Sequence, residues 1–176
     1  MTYRLFLAIE LPEAQRLAIA SLPRTIRDAR YTKPEQAHLT LRFLGDTPAD
    51  EVPTLVTRLK EVHQTSFPLE LVGLGVFPSP QDPRVLWAGI SPSSPLRDLR
   101  RKIDAALQIP LDRQEFSPHI TLARLGPGAG QDTCTVLTTH AKFQAGFFPV
   151  DRFQLFRSQL QPNGAVHTRI ASFFLA

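Results

Sequence analysis

Residues 38–45 read HLTLRFLG, and residues 119–126 read HITLARLG. Five of the eight positions are identical: the His, the Thr, two Leu and the Gly. A sixth sets Leu39 against Ile120. The stretches lie 81 residues apart, close to half of the 176-residue chain. Polar and apolar residues alternate through most of the first stretch and the first four positions of the second, which is the period of a half-buried strand. Residues i and i+2 of a strand share a face. His38 and Thr40 therefore point one way, as do His119 and Thr121. Leu39, Leu41, Ile120 and Leu122 point to the other face, where a core would lie. An echo at half the chain length predicts two structural halves related by a pseudo-two-fold. A duplication that merely kept sheet packing explains the leucines. It does not explain two polar residues kept on the non-core face.

The flanking sequence fills in the halves. Residues 2–10 form an apolar strand stopped by Leu11-Pro12. Residues 13–30 carry helical spacing over their first half, with Pro23 as a break. Residues 37–44 are the first echo strand, ended by Gly45-Asp46-Thr47-Pro48. A helix follows over 49–63, with Pro53 tolerated in its first turn. Runs 69–77 and 85–90 predict a hairpin around the loop Pro78-Ser79-Pro80-Gln81-Asp82-Pro83. Residues 94–107 place Leu96, Leu99, Ile103, Ala106 and Leu107 on one helical stripe, with Arg100, Arg101, Lys102 and Asp104 mainly off it. The second echo strand, 119–125, ends at a glycine-rich break. Strands over 147–156 and 165–175 close the chain around Pro162-Asn163-Gly164, a hairpin signal. Hairpins interspersed with helices predict an α+β fold with mainly antiparallel sheet. No linker divides residues 1–176, so a single domain of two lobes is expected.

Composition removes whole classes. Hydrophobic residues make up 43% and charged residues 20%, which excludes disorder throughout. The longest apolar runs are far shorter than a membrane span needs, so no membrane partner is expected. The N-terminus lacks the pattern of a signal peptide. The single cysteine, Cys134, cannot form an internal disulfide or a cysteine-rich zinc site, and it predicts a reducing cytoplasm. The net charge is +4. Four of the 20 cations are lysines (Lys33, Lys60, Lys102, Lys142), which leaves 16 arginines. That balance is compatible with nucleic acid or phosphate partners, and a GC-rich genome also accounts for most of the arginines.

Two imidazoles converging across a groove are what metal-free phosphodiester chemistry requires. One, neutral, takes a proton from the attacking oxygen, and the other, protonated, gives one to the leaving oxygen. Threonine hydroxyls can donate to the non-bridging phosphate oxygens. A lone His-x-Thr in a strand is ordinarily structural, and threonine is a good strand former. The recurrence in a matching frame is what carries weight here. His63, His140 and His167 stand outside the echo and are expected to be surface or structural residues. No His-Glu-x-x-His, no His-Asp dyad and no P-loop motif is present, and neither Asp46 nor Glu115 makes a metal-ligand spacing with the motifs. No metal and no cofactor are therefore expected.

The paired motifs resemble those of the two-histidine (2H) phosphoesterases. Arg4-Leu5-Phe6-Leu7-Ala8-Ile9 before Leu11-Pro12 resembles the opening strand of the bacterial RNA 2',3'-cyclic phosphodiesterases, also called 2'-5' RNA ligases. Gly75-Val76-Phe77-Pro78-Ser79-Pro80, Arg84-Val85-Leu86-Trp87, Pro118 to Arg124 and Val150-Asp151-Arg152-Phe153 are similar to that subfamily too, in the right order over nearly the whole chain. The resemblance implies a bilobal fold with two antiparallel sheets flanking a groove and helices outside. It implies hydrolysis of a 2',3'-cyclic phosphate at an RNA 3' end to a 2'-phosphate. His38 would be the general acid for the departing 3' oxygen, and His119 the general base for water. Thr40, Thr121 and Arg124 carry over as phosphate contacts, and Phe6 as a base-stacking surface. Strict alternation puts Arg124 on the wrong face unless the strand ends or bulges there. Arg42 has the right parity and is a rival phosphate contact or a solvated strand-edge arginine.

The same site can run backwards, with a 5'-hydroxyl replacing water to give a 2'-5' linkage. The expected substrates are RNA ends carrying a 2',3'-cyclic phosphate, tRNA fragments among them, or small cyclic nucleotides, acted on by a monomer. The competing reading is a non-catalytic RNA- or nucleotide-binding module on the same fold, which two intact His-Thr pairs disfavour. A metal hydrolase with histidine ligands ranks below both.

Overall fold

The computed structural model describes residues 1–110, 115–162 and 164–176. Along the chain these form β1 (Thr2–Glu10), α1 (Glu13–Ala20), β2 (Ala29–Tyr31), β3 (His38–Pro48), α2 (Val52–Leu59), β4 (Phe67–Ser79) and β5 (Asp82–Ser91). Then come α3 (Ser94–Leu107), β6 (His119–Leu125), α4 (Gly130–Thr139), β7 (Gln144–Val150), β8 (Arg152–Gln161) and β9 (Gly164–Phe174). Short 3-10 turns, Pro34–Gln36 and Ala49–Glu51, precede β3 and α2. The fold is α+β, and the strand pairings among the described residues are antiparallel.

The strand order is β7-β4-β5-β6-β3-β1-β8-β9, with β2 beside β6. Counted outward from the central β6–β3 seam, β5 answers β1, β4 answers β8 and β7 answers β9. The two sheets expected from sequence touch through one residue pair, Leu39 and Ile120, which makes the ladder continuous as one open sheet. Among the described residues the β3–β6 pairing goes no further than that pair, and the sheet face opposite the core, over this seam, is the groove face.

One face of the sheet is apolar and the helices cover it. Leu5, Leu7, Leu39, Leu41, Ile120 and Leu122 join Leu96, Leu99 and Ile103 of α3 and Val136 of α4 in a common core. β1 is buried on both faces, because Phe6 and Ala8 pack against Phe156 on the groove side. That explains why its apolar run is unbroken rather than alternating.

Several element boundaries differ from the sequence expectation. β3 runs on through Gly45, whose φ of +73° carries an irregularity in the pairing with β1, so glycine bends the strand instead of stopping it. The helix expected over 49–63 ends at Leu59. The proline-rich loop 78–83 is mostly strand, closed by a tight turn between Ser79 and Asp82. The single strand expected over 147–156 is two strands: β7 pairs with β4 at one end of the sheet, and β8 pairs with β1 in the other half. The chain crosses the molecule at Asp151. Three-residue β2 and the amphipathic α4 were not expected, since neither has a long apolar period. Asp104 is buried, not off the apolar stripe. β8 and β9 form the expected hairpin, although Asn163 itself lies outside the described residues.

Candidate active site

Antiparallel pairing of Leu39 with Ile120 sets His38 across from Thr121 and Thr40 across from His119. Leu39 and Ile120 are fully buried beneath. All four polar residues therefore lie on the opposite face, over the seam, and the pseudo-two-fold passes between them. The same register carries both outward strands: Thr40 pairs with Ala8 of β1, and Thr121 with Trp87 of β5.

The imidazoles are oriented alike. His38 Nδ1 lies 2.7 Å from the Gln36 carbonyl oxygen, and His119 Nδ1 lies 2.8 Å from that of Ser117. A carbonyl only accepts, so each Nδ1 carries a hydrogen and donates it. That leaves each Nε2 as the working nitrogen: an acceptor when the ring is neutral, a donor when it is charged. Gln36 is itself fixed, its amide donating to the Ala165 carbonyl at 2.9 Å. Burial pushes the His38 imidazole below the usual histidine range, against the opposing pull of its bond to Gln36 and of nearby Glu10.

Both echo strands bulge after the Leu that follows Thr. The pairing slips at Leu41 against β1, and at Leu122 against β5. An extra residue reverses which face the rest of the strand presents. In β6, Leu122, Ala123 and Leu125 are buried, and Arg124 is exposed on the groove side. The bulge that Arg124 needed is therefore present. In β3 the same slip takes Arg42 off the groove face. Arg42 Nε lies 3.4 Å from Asp104 Oδ1 of α3, and the Arg42 side chain is only 10% exposed. Its Nη2 donates to the Pro110 carbonyl at 3.3 Å. The expectation of Arg42 as a phosphate contact is thereby corrected, since strict alternation fails at the bulge. Phe43, the counterpart of Arg124, takes the groove side and is 69% exposed.

Phe6 also needs correction. It reaches the groove face, but it is 3% exposed, stacked on Phe156 at 5.3 Å and packed against His38 at 5.1 Å between ring centroids. A ring so enclosed offers no free face to a base. Phe43 stands 6.0 Å from Phe6 with its surface open.

His167 belongs to the site, contrary to the sequence expectation. From β9 its ring meets His38 edge-on at 5.4 Å and Phe6 at 4.9 Å. Burial lowers its pKa, and His38 beside it lowers it further. No motif marks it: it is brought in by the β8–β9 hairpin, which only the three-dimensional pairing reveals. His119 has a different surround, with Phe77 at 4.9 Å and Trp87 at 6.4 Å. The Trp87 indole lies against Gly75, where any side chain would collide with it. His63 and His140 lie away from the groove, as expected: the His63 carbonyl accepts from Lys102, and His140 caps α4.

Known proteins match the chain over nearly its whole length in sequence and in fold. The family model for the 2'-5' RNA ligase superfamily matches residues 11–162. The chain is 35% identical to the RNA 2',3'-cyclic phosphodiesterase of Thermus thermophilus, over 98% of this chain and 90% of that protein. It is 29% identical to the enzyme of the same name from Methanothermobacter thermautotrophicus, over 99% of this chain and all of the other. Among solved structures, TT0787 of Thermus thermophilus superposes with a TM-score of 0.77 at 32% identity, covering 97% of each chain. Apo E. coli LigT gives a TM-score of 0.79 at 26% identity, covering 99% of this chain and 98% of that one. LigT has also been solved with phosphate and with 3'-AMP.

Proposed function

This chain belongs to the 2'-5' RNA ligase superfamily, and on that premise we propose that it is an RNA 2',3'-cyclic 3'-phosphodiesterase working without a metal. One observation carries the reading: two His-Thr pairs in antiparallel register, each imidazole held through Nδ1, which leaves Nε2 as the working nitrogen. The names of its relatives and the phosphate and 3'-AMP complexes of LigT support the substrate class.

The cyclic phosphate sits over the seam between the two imidazoles. The Thr40 and Thr121 hydroxyls donate to its non-bridging oxygens, and Arg124 adds a guanidinium from the groove side. His119 Nε2 accepts a proton from water as the oxygen–phosphorus bond forms. The P–O3' bond breaks, and protonated His38 Nε2 gives its proton to the departing 3' oxygen. The product is a 2'-phosphate and a free 3'-hydroxyl. Exchange with solvent resets both rings. The burial that lowers His38 favours its neutral form in the free enzyme, and the phosphate anion opposes that by stabilising the charged ring. Phe43 replaces Phe6 as the surface on which the terminal base stacks. A 5'-hydroxyl in place of water gives 2'-5' joining by the same proton transfers. Both halves of the site come from one chain, so a monomer suffices for activity, in a reducing compartment.

The test is a short RNA ending in a 2',3'-cyclic phosphate, incubated with excess EDTA and followed by phosphorus NMR. The expected product is the 2'-phosphate. Activity that requires an added divalent ion, or a 3'-phosphate product, refutes the proposal. Binding with no turnover under any condition supports the binding-module reading instead.

A further inference from the structure

The groove floor includes β2, whose middle residue plays no part in the reaction above. β2 pairs with β6 so that Arg30 stands directly across from Arg124. Ala29 and Tyr31 pack toward the core, and their partners Leu125 and Ala123 are buried with them. Arg30 and Arg124 therefore turn the other way, to the face that carries His119 and Thr121. Both are exposed. Like charges directly opposite destabilise a sheet. Neither guanidinium forms an ion pair among the described residues. Asp28, the carboxylate closest in sequence to Arg30, instead accepts from the Gly128 backbone N–H at 3.3 Å. Two unneutralised guanidiniums on adjacent strands, about 5 Å apart in backbone, make a fork suited to an anion.

Position selects the anion. β2 lies along the edge of β6 that β3 leaves, and Thr32 N–H continues that line by donating to the Leu122 carbonyl at 2.8 Å. Arg124 is three residues past Thr121, about 10 Å along a regular strand. Arg30 stands across from it on β2, along the same β6 edge that β3 pairs with at Ile120. The arginine pair is thus displaced along the strand from a phosphate held at the threonines. An RNA strand brings a second phosphate, the diester on the 5' side of its terminal nucleotide.

We propose that Arg30, beside Arg124 on the same face, binds that upstream phosphodiester, so that the enzyme selects RNA ends over mononucleoside cyclic phosphates. The inference rests on the reaction proposed above, which concerns the phosphate at the histidines only.

The test compares uridine 2',3'-cyclic phosphate with a dinucleotide ending in the same group, in wild type, Arg30→Ala and Arg30→Glu. The dinucleotide-to-mononucleotide ratio of kcat/KM is expected to fall about tenfold in Arg30→Ala and further in Arg30→Glu. Binding of a trinucleotide ending in a 2'-phosphate is measured alongside, as a function of salt. The slope of log K against log salt is expected to shrink by about 0.7 in Arg30→Ala, the value for one lost single-strand phosphate contact. Neither variant should melt below wild type, because each relieves a like-charge pair. A ratio within twofold of wild type and an unchanged salt slope in both variants overturn the proposal. If the wild type turns over neither substrate, the proposed reaction has failed, and the salt slope still decides the role of Arg30.

Discussion

Both histidines are half-buried, but the first half of the molecule encloses its histidine with a second imidazole and a buried phenylalanine, and the second half does not. His38 is wedged between Phe6 and His167, and burial lowers its pKa. His119 rests on Phe77 and Trp87, and its bond to Ser117 lies on the exposed side. Past the bulges the halves diverge again. The groove position holds Phe43 in one and Arg124 in the other, while the core position holds Arg42 in one and Ala123 in the other. A symmetric backbone thus carries an asymmetric set of side chains. The enclosure by itself favours the neutral form of His38, so an acid role for that ring depends on the bound phosphate stabilising its charge, not on these neighbours.

The largest effect should come from the histidines themselves. His38→Ala and His119→Ala are each expected to lower kcat about 10²- to 10⁴-fold. The double variant should fall much less than the product of the two, because the pair acts as a unit. Single-turnover rates on a cyclic-phosphate RNA check this. Full multiplicativity would mean that the halves act independently.

The arginine counterparts should separate activity from stability. Arg124→Ala is expected to lower kcat/KM about 10- to 100-fold, one lost charge-assisted phosphate contact, with an unchanged melting point. Arg42→Ala is expected to lower stability by about 2 kcal/mol, because it strips a buried partner from the buried carboxylate of Asp104. Denaturant unfolding alongside kinetics distinguishes the two. The aromatic pair should behave the same way with smaller amplitude. Phe43→Ala raises KM for an RNA end by roughly tenfold, the loss of one stacked base, without affecting folding. Phe6→Leu destabilises the fold and alters the pH profile, because it repacks His38.

How far the sequence reaches is visible in the same residues. His38, Thr40, His119 and Thr121 were legible because alternation is regular up to the threonines. Alternation then fails at Leu41 and Leu122, and with it the placement of Arg42. The same bulge gave Arg124 its groove face, and only strand pairing exposes it. Phe6 looked available because a sequence cannot tell a groove-facing ring from one covered by Phe156. His167 was missed because β9 reaches the site through a hairpin, not through a motif. The α+β class and most elements followed from periodicity. The run over 147–156 misled because Asp151 is one residue, too short a break to register, yet it sends β7 and β8 to opposite halves.

The smallest expected effect is on stability against pH. His38 and His167 both have folded pKa values below the ordinary 6.5. Their neutral forms favour the fold, so stability is full above pH 6.5. It is lost as pH falls through the lowered values, where the unfolded chain binds protons more readily. Melting temperature should therefore drop between pH 7 and 5, and His167→Gln should flatten that slope. An unchanged slope would mean that His167 is not part of the enclosure around His38.

The assignment of opposite roles to the two halves is tested most directly by replacing the 3' oxygen of the scissile bond with sulfur. A thiolate leaves without a proton from the enzyme, given a thiol pKa of about 8.5. The account predicts that His38→Ala recovers to within about tenfold of wild type on the sulfur substrate, while His119→Ala stays down about 10²-fold or more. Recovery of His119→Ala instead would reverse the roles, and equal loss in both variants would contradict a division of labour between the halves.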